Sequence, residues 1–98
     1  MLFAFVADFQ PNTTPQQRDA ALARRAAWRF PAGTKVVAEF WSFGNSPLVY
    51  TVVEASDPKA VWQLSADWND VFDIRIIPVI TSEFGLAHGQ EVFEKRPR

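Results

Sequence analysis

Apolar and polar positions along the chain alternate between two periods. Leu2–Phe9 is apolar on both parities, as in a strand covered on two faces. Gln10-Pro11-Asn12-Thr13 breaks that run, and Thr14-Pro15-Gln16-Gln17 opens a helix. Thr14 caps it, Pro15 suits the first helical position, and Gln17 sits where a capping box needs Glu or Gln. The helix stops near Arg29, because Phe30 precedes Pro31. At about 100° per residue, Leu22, Ala23, Ala26, Ala27 and Phe30 share the side expected to face the core. Arg18, Arg25 and Arg29 stack on another side. Trp28 falls near the centre of the polar side, where it packs on Arg24 or meets a partner.

After the Pro31-Ala32-Gly33 turn, Lys35–Phe43 is β-rich, Gly44-Asn45-Ser46-Pro47 breaks it, and Leu48–Ala55 is β-rich again. Asp57 caps a second helix with Pro58 at its first position. Val61, Leu64, Ser65 and Trp68 form its inner stripe, Trp62 lies at the stripe's edge, and Asp70 ends the helix or ties the next turn. Phe72–Ile80 is the last strand, and Pro78 marks an edge strand or the strand's end. The tail from Glu83 has one apolar cluster, Phe84 to Leu86, and a polar finish. The order βαββαβ predicts an α+β, ferredoxin-like domain with a four-stranded antiparallel sheet and two helices on one face. A single domain spans 1–98, with a core at 1–83 and a tail at 84–98.

Two helices cover only one face of such a sheet. Alternation assigns Val37, Trp41, Phe43, Val49, Val53, Ile77 and Val79 to the other face, interrupted by Glu39, Thr51, Asp73 and Arg75. The first strand adds either Phe3 and Phe5 or Leu2, Ala4 and Val6. That face is too apolar for water, so a homodimer with sheets packed face to face is expected.

Composition narrows the function classes. Nine Phe and four Trp in 98 residues are a heavy aromatic load for a small core, favouring a partner for those left outside. A formal charge of −1 gives no reason to expect nucleic acid or an anionic membrane. An RNA-recognition domain shares the element order, but its third strand needs a basic, Gly-containing aromatic motif that Pro47–Glu54 lacks. No cysteine is present, which removes disulfide and thiolate chemistry. The N-terminal run lacks a positive flank and is too short for a signal or membrane span, so a cytoplasmic location is expected.

The segment Trp62-Gln63-Leu64-Ser65-Ala66-Asp67-Trp68-Asn69-Asp70, then Asp73 and Ile76-Ile77-Pro78-Val79, resembles a group of small bacterial domains of unknown function. Their second helix carries W-x5-W-x-D, followed by a strand of D-F-x-V-x-P-V character; here Ile74 replaces the phenylalanine. Val53-Glu54-Ala55-Ser56-Asp57 resembles their V-E-A-x-D strand end. The likeness runs to about Glu83. By topology the group resembles the dimeric α/β-barrel superfamily, which includes cofactor-free monooxygenases, isomerases, haem enzymes and proteins without established activity. Such a likeness implies a fold more firmly than a function.

No nucleophile–base pair, metal cluster or phosphate loop is present. Glu39, in mid-strand among apolar neighbours, is a candidate general base or one half of an ion pair with Arg75. Arg75, beside Asp73, can clamp a carboxylate or phenolate, or pair with Glu39 or with a partner subunit. Trp41, Phe43 and Tyr50 complete a candidate pocket or interface around them. His88, the sole histidine, is read as a solvated side chain. No cofactor or metal is expected. The reading is a dimeric binding or assembly module, partnered by itself and by a small apolar or aromatic ligand. Its alternative is a cofactor-free monooxygenase or isomerase acting on a small aromatic or polyketide-like molecule.

Overall fold

The computed structural model describes residues 1–44 and 46–97. Its elements are β1 (Leu2–Phe9), α1 (Pro15–Ala27), β2 (Thr34–Trp41), β3 (Val49–Ala55), α2 (Pro58–Trp68), β4 (Phe72–Val79) and α3 (Ser82–Glu94). The four strands form one antiparallel sheet in the order β2-β3-β1-β4, which is the ferredoxin-like arrangement. Asn45, in the expected break before β3, lies outside the described residues.

The local signals act as their chemistry requires. The Gln17 backbone N–H donates to Thr14 Oγ1 at 3.2 Å, and the Thr14 N–H donates to Gln17 Oε1 at 2.8 Å, completing the capping box of α1. Asp57 Oδ1 accepts the Lys59 N–H at 2.9 Å at the head of α2. Gly33 turns with φ +91, and a side chain there would meet the Ala60 Cβ at 3.3 Å. Pro78 sits in β4, an edge strand, where its missing N–H leaves no interior ladder bond unmade.

Register settles the faces. Phe3, Phe5 and Ala7 pair with Val53, Thr51 and Val49, and on the other side with Pro78, Ile76 and Ile74. With α2 they form the core: Phe5, Ala7, Val53, Leu64 and Trp68 are buried, with Phe3, Val49, Phe72, Ile74 and Ile76 packed around them. Leu2, Ala4 and Val6 therefore belong to the opposite, open face.

Several expected assignments to the open face are corrected by this register. Val53 is fully buried under the helices. Thr51 and Val49 share its side, and Glu39 and Trp41 join them as their cross-strand partners. A register shift between Val36 and Ala38 marks a bulge in β2, so Val36 lies opposite Val53 on the side where Glu39 lies opposite Thr51. The open face instead carries Ala38, Phe40, Tyr50, Val52, Ile77 and Val79, with Lys35, Glu54, Asp8, Asp73 and Arg75. Glu39 and Arg75 therefore lie on opposite faces, and their expected ion pair does not form.

The two sheet-facing helices differ. α2 buries Ala60, Leu64 and Trp68, close to its expected stripe. In α1 the sole buried residue is Ala21. The inward side runs through Ala21, Arg25 and Trp28; Leu22 is 57% exposed, and Ala23, Ala26 and Ala27 are exposed. Trp28 is not a surface residue of the polar side. The chain turns extended at Trp28 (ψ 147), and its ring packs edge-on to Trp68 at 5.5 Å and beside Phe30 at 4.5 Å.

The polar-looking tail forms a third helix. Thr81 Oγ1 caps α3 by accepting the Phe84 N–H at 3.0 Å. No α3 residue is buried. The radius of gyration is 16.2 Å and the long axis 53 Å, against about 13 Å for the radius of a compact chain of this length. The projecting helix accounts for the difference.

Candidate functional site

Because α1 presents alanine and arginine where α2 presents leucine and tryptophan, it cannot fill the space above the sheet. A cavity of about 300 Å³ remains beneath it. Its floor is Phe5, Val49, Thr51 and Glu39, and its roof is Ala21, Leu22 and Arg25. Trp28, Phe30, Trp68 and Phe72 close one side, and Trp41 and Leu48 stand on another. The aromatic wall is continuous: Trp68 meets Phe72 at 5.6 Å, and Phe72 stacks on Phe9 at 4.9 Å.

One ion pair spans this space. Arg25 Nη2 donates to Glu39 Oε1 at 2.8 Å. Trp41 Nε1 donates to Glu39 Oε2 at 2.9 Å, so each carboxylate oxygen holds one donor. The side chains are 30% and 19% exposed, which makes this a half-buried pair with access from the cavity. The Arg25 guanidinium also lies over the Trp28 and Phe30 rings at 5.4 and 5.3 Å, an arrangement that fixes it against apolar surface. Trp28 Nε1 is tied to Asp67 Oδ2 at 2.9 Å, anchoring the wall to α2. Arg24 reinforces that junction from outside. It covers the Trp68 ring at 4.6 Å, donates to the Asp67 carbonyl and pairs with Asp70 at 3.0 Å.

Of the residues singled out in the sequence, the cavity gathers Glu39 and Trp41. Tyr50 and Arg75 point to the open face, Asp73 lies there beside them, and Phe43 is fully exposed beyond the end of β2. Asp73 faces Asp8 across β1 and β4. Among the described residues Arg75 has no ion-pair partner. His88 lies on α3, 3.5 Å from Glu91 and against the Phe84 ring.

Arg25 and Thr51 are the site residues that pattern reading missed. Arg25 stood with Arg18 and Arg29 on a side of the helix other than the one expected to face the core. The signal available was Ala21 four residues earlier: a small residue flanked by Arg18 and Arg25 at helical spacing marks a face too thin to close. Among the described residues, no group of three or more His, Asp or Glu is placed to hold a metal ion. None of the helices among them is long and apolar enough to cross a membrane.

Residues 1–93 match the family described as a domain of unknown function, DUF3303. The chain belongs to that family. The match takes in the residues of the cavity, the aromatic wall and nearly all of α3. Neither the curated proteins nor the solved structures include a significant match.

Proposed function

We propose that this DUF3303 domain is a homodimeric binding module that holds a small, largely apolar molecule between α1 and the sheet. The observation carrying this reading is the cavity: about 300 Å³, walled by aromatic rings, with one oriented ion pair. Binding sites of this kind combine an apolar body with a few placed polar groups. The size suits a ligand of one or two fused rings. Titration with naphthalene, followed by ligand-observed NMR, tests the site. Saturable binding that is lost in Ala21→Phe, whose ring would occupy the roof, supports the reading. Binding unaffected by Ala21→Phe, or no binding, defeats it.

The occupant proposed for the open face is a second copy of the chain. Four strands of about eight residues present roughly 500 Å² in plan, and two such faces with their α3 helices reach the 1,200 Å² or so of a stable interface. Charge favours self-pairing. Asp8, Asp73 and Arg75 share this face, and a twofold axis can bring the unpaired Arg75 of one protomer to the acidic pair of the other. α3 also leaves Phe84, Leu86, Val92 and Phe93 more than half exposed. Sedimentation equilibrium at micromolar concentration should give twice 11.1 kDa. An 11.1-kDa species alone overturns the dimer.

A second reading is favoured by one observation, the position of the Glu39 carboxylate on the cavity wall. There it can take a proton from a bound small aromatic or polyketide-like molecule, as a cofactor-free isomerase or monooxygenase requires. Glu39→Gln that binds ligand but turns nothing over, beside an active wild type, is the result that supports it.

A further inference from the structure

Thr51 is the one buried polar residue among those described, 3% exposed at the centre of β3. Its side chain makes no hydrogen bond within the described chain. Yet no buried polar side-chain atom is sealed away without a partner, so the hydroxyl opens onto free space, and the space Thr51 lines is the cavity. A buried hydroxyl without a partner is a costly group, and strand interiors offer Val as the isosteric alternative. Its neighbours on the same face, Val49 and Val53, are that residue.

Thr51 is also the direct cross-strand partner of Glu39. Such partners place their Cβ atoms about 5 Å apart on one face. A single oxygen seated between them can accept from the Thr51 hydroxyl and donate to Glu39. The carboxylate keeps acceptor capacity for this, because Arg25 and Trp41 supply only one donor to each of its oxygens. An anionic group in that seat would meet the Glu39 charge.

We propose that Thr51 and Glu39 together form a hydroxyl-binding seat, and that the cavity's ligand is a neutral apolar ring compound bearing a hydroxyl group. This inference rests on the cavity reading above and sharpens its ligand class. Thr51 orients the ligand's oxygen, and Glu39 takes its hydrogen bond.

The test compares naphthalene, 2-naphthol, 2-methoxynaphthalene and 2-naphthoate as probes of one body shape. With wild-type protein, 2-naphthol binds about tenfold or more tightly than naphthalene, the expected return of a hydrogen bond to a charged acceptor. The methoxy compound loses that gain, and 2-naphthoate binds more weakly than 2-naphthol. Thr51→Val erases part of the advantage of 2-naphthol over naphthalene and melts at or above the wild-type temperature. Thr51→Ser restores the preference. If naphthalene binds and 2-naphthol binds no better, the seat is wrong while the cavity stands. If no probe binds, the cavity reading itself fails. A Thr51→Val melting temperature clearly below wild type makes the hydroxyl structural and overturns the proposal.

Discussion

α1 and α2 begin alike and end differently. Each is preceded by a capping side chain, opens with proline at its first position and crosses the same face of the same sheet. α2 lays Leu64 and Trp68 on the strands and closes the core. α1 offers Ala21 and Arg25, and a cavity survives under it. Caps and propensity decide where a helix lies; the volume on its inner face decides whether the protein beneath it is solid or hollow.

The most forceful way to test this contrast is to exchange large and small across it. Trp68→Ala removes the ring that joins the core to the aromatic wall. It should cost about 3–5 kcal/mol in chemical denaturation, the range for a buried tryptophan. The opposite change, Ala21→Phe, overpacks a solid core by about 1–3 kcal/mol. Under α1 it should stay within about 1 kcal/mol of wild type, because the ring enters existing space. An Ala21→Phe loss comparable to that of Trp68→Ala would show that α1 is packed as tightly as α2.

Glu39→Gln gives a smaller effect and addresses the ion pair that holds α1 over the hollow. Gln keeps an acceptor for Trp41 or Arg25 but loses the charge. The pair is partly exposed, and such pairs contribute less than sealed ones. A loss of about 1–2 kcal/mol is expected, the range for a hydrogen bond to a charged group discounted for water. A melting temperature above wild type would mean that the carboxylate is held there at a cost to stability, and would move the enzymatic reading ahead.

These residues also show what was legible in the chain. The order of elements followed from Thr14-Pro15 and Asp57-Pro58, whose local chemistry leaves little choice. The faces did not follow. Glu39 and Thr51 looked like marks of an outward face, since polarity ordinarily points to water or a partner. The structure puts both inside, because the helix above them supplies Arg25 and stands off from the sheet. Polarity was a poor guide to orientation where a cavity replaces a packed core. α3 was hidden for another reason: Gly85 and Gly89 each weaken a helix by about 1 kcal/mol against alanine, and its apolar residues Phe84, Leu86, Val92 and Phe93 stay more than half exposed.

The smallest expected effect separates the helices most finely. Thr14→Ala and Asp57→Ala each remove one cap, worth about 1 kcal/mol, or about fivefold in an opening equilibrium. The consequences should spread differently. Opening α2 uncovers Leu64 and Trp68, so α2 comes apart only with the core, and Asp57→Ala should speed amide exchange about fivefold throughout the slowest strands, β1 and β3. Opening α1 uncovers a cavity that is already partly empty, so α1 can open alone at lower free energy. Thr14→Ala should then speed exchange about fivefold within Gln17–Ala27 by that local route, while the additional acceleration in α2 stays confined to the global term. Amide hydrogen exchange under native conditions reads both. Wild-type α1 amides should exchange faster than those of α2, and 2-naphthol should slow the α1 amides selectively by filling the space between α1 and the sheet. Equal protection of the two helices without ligand would erase the distinction between the closed and the hollow half of this fold.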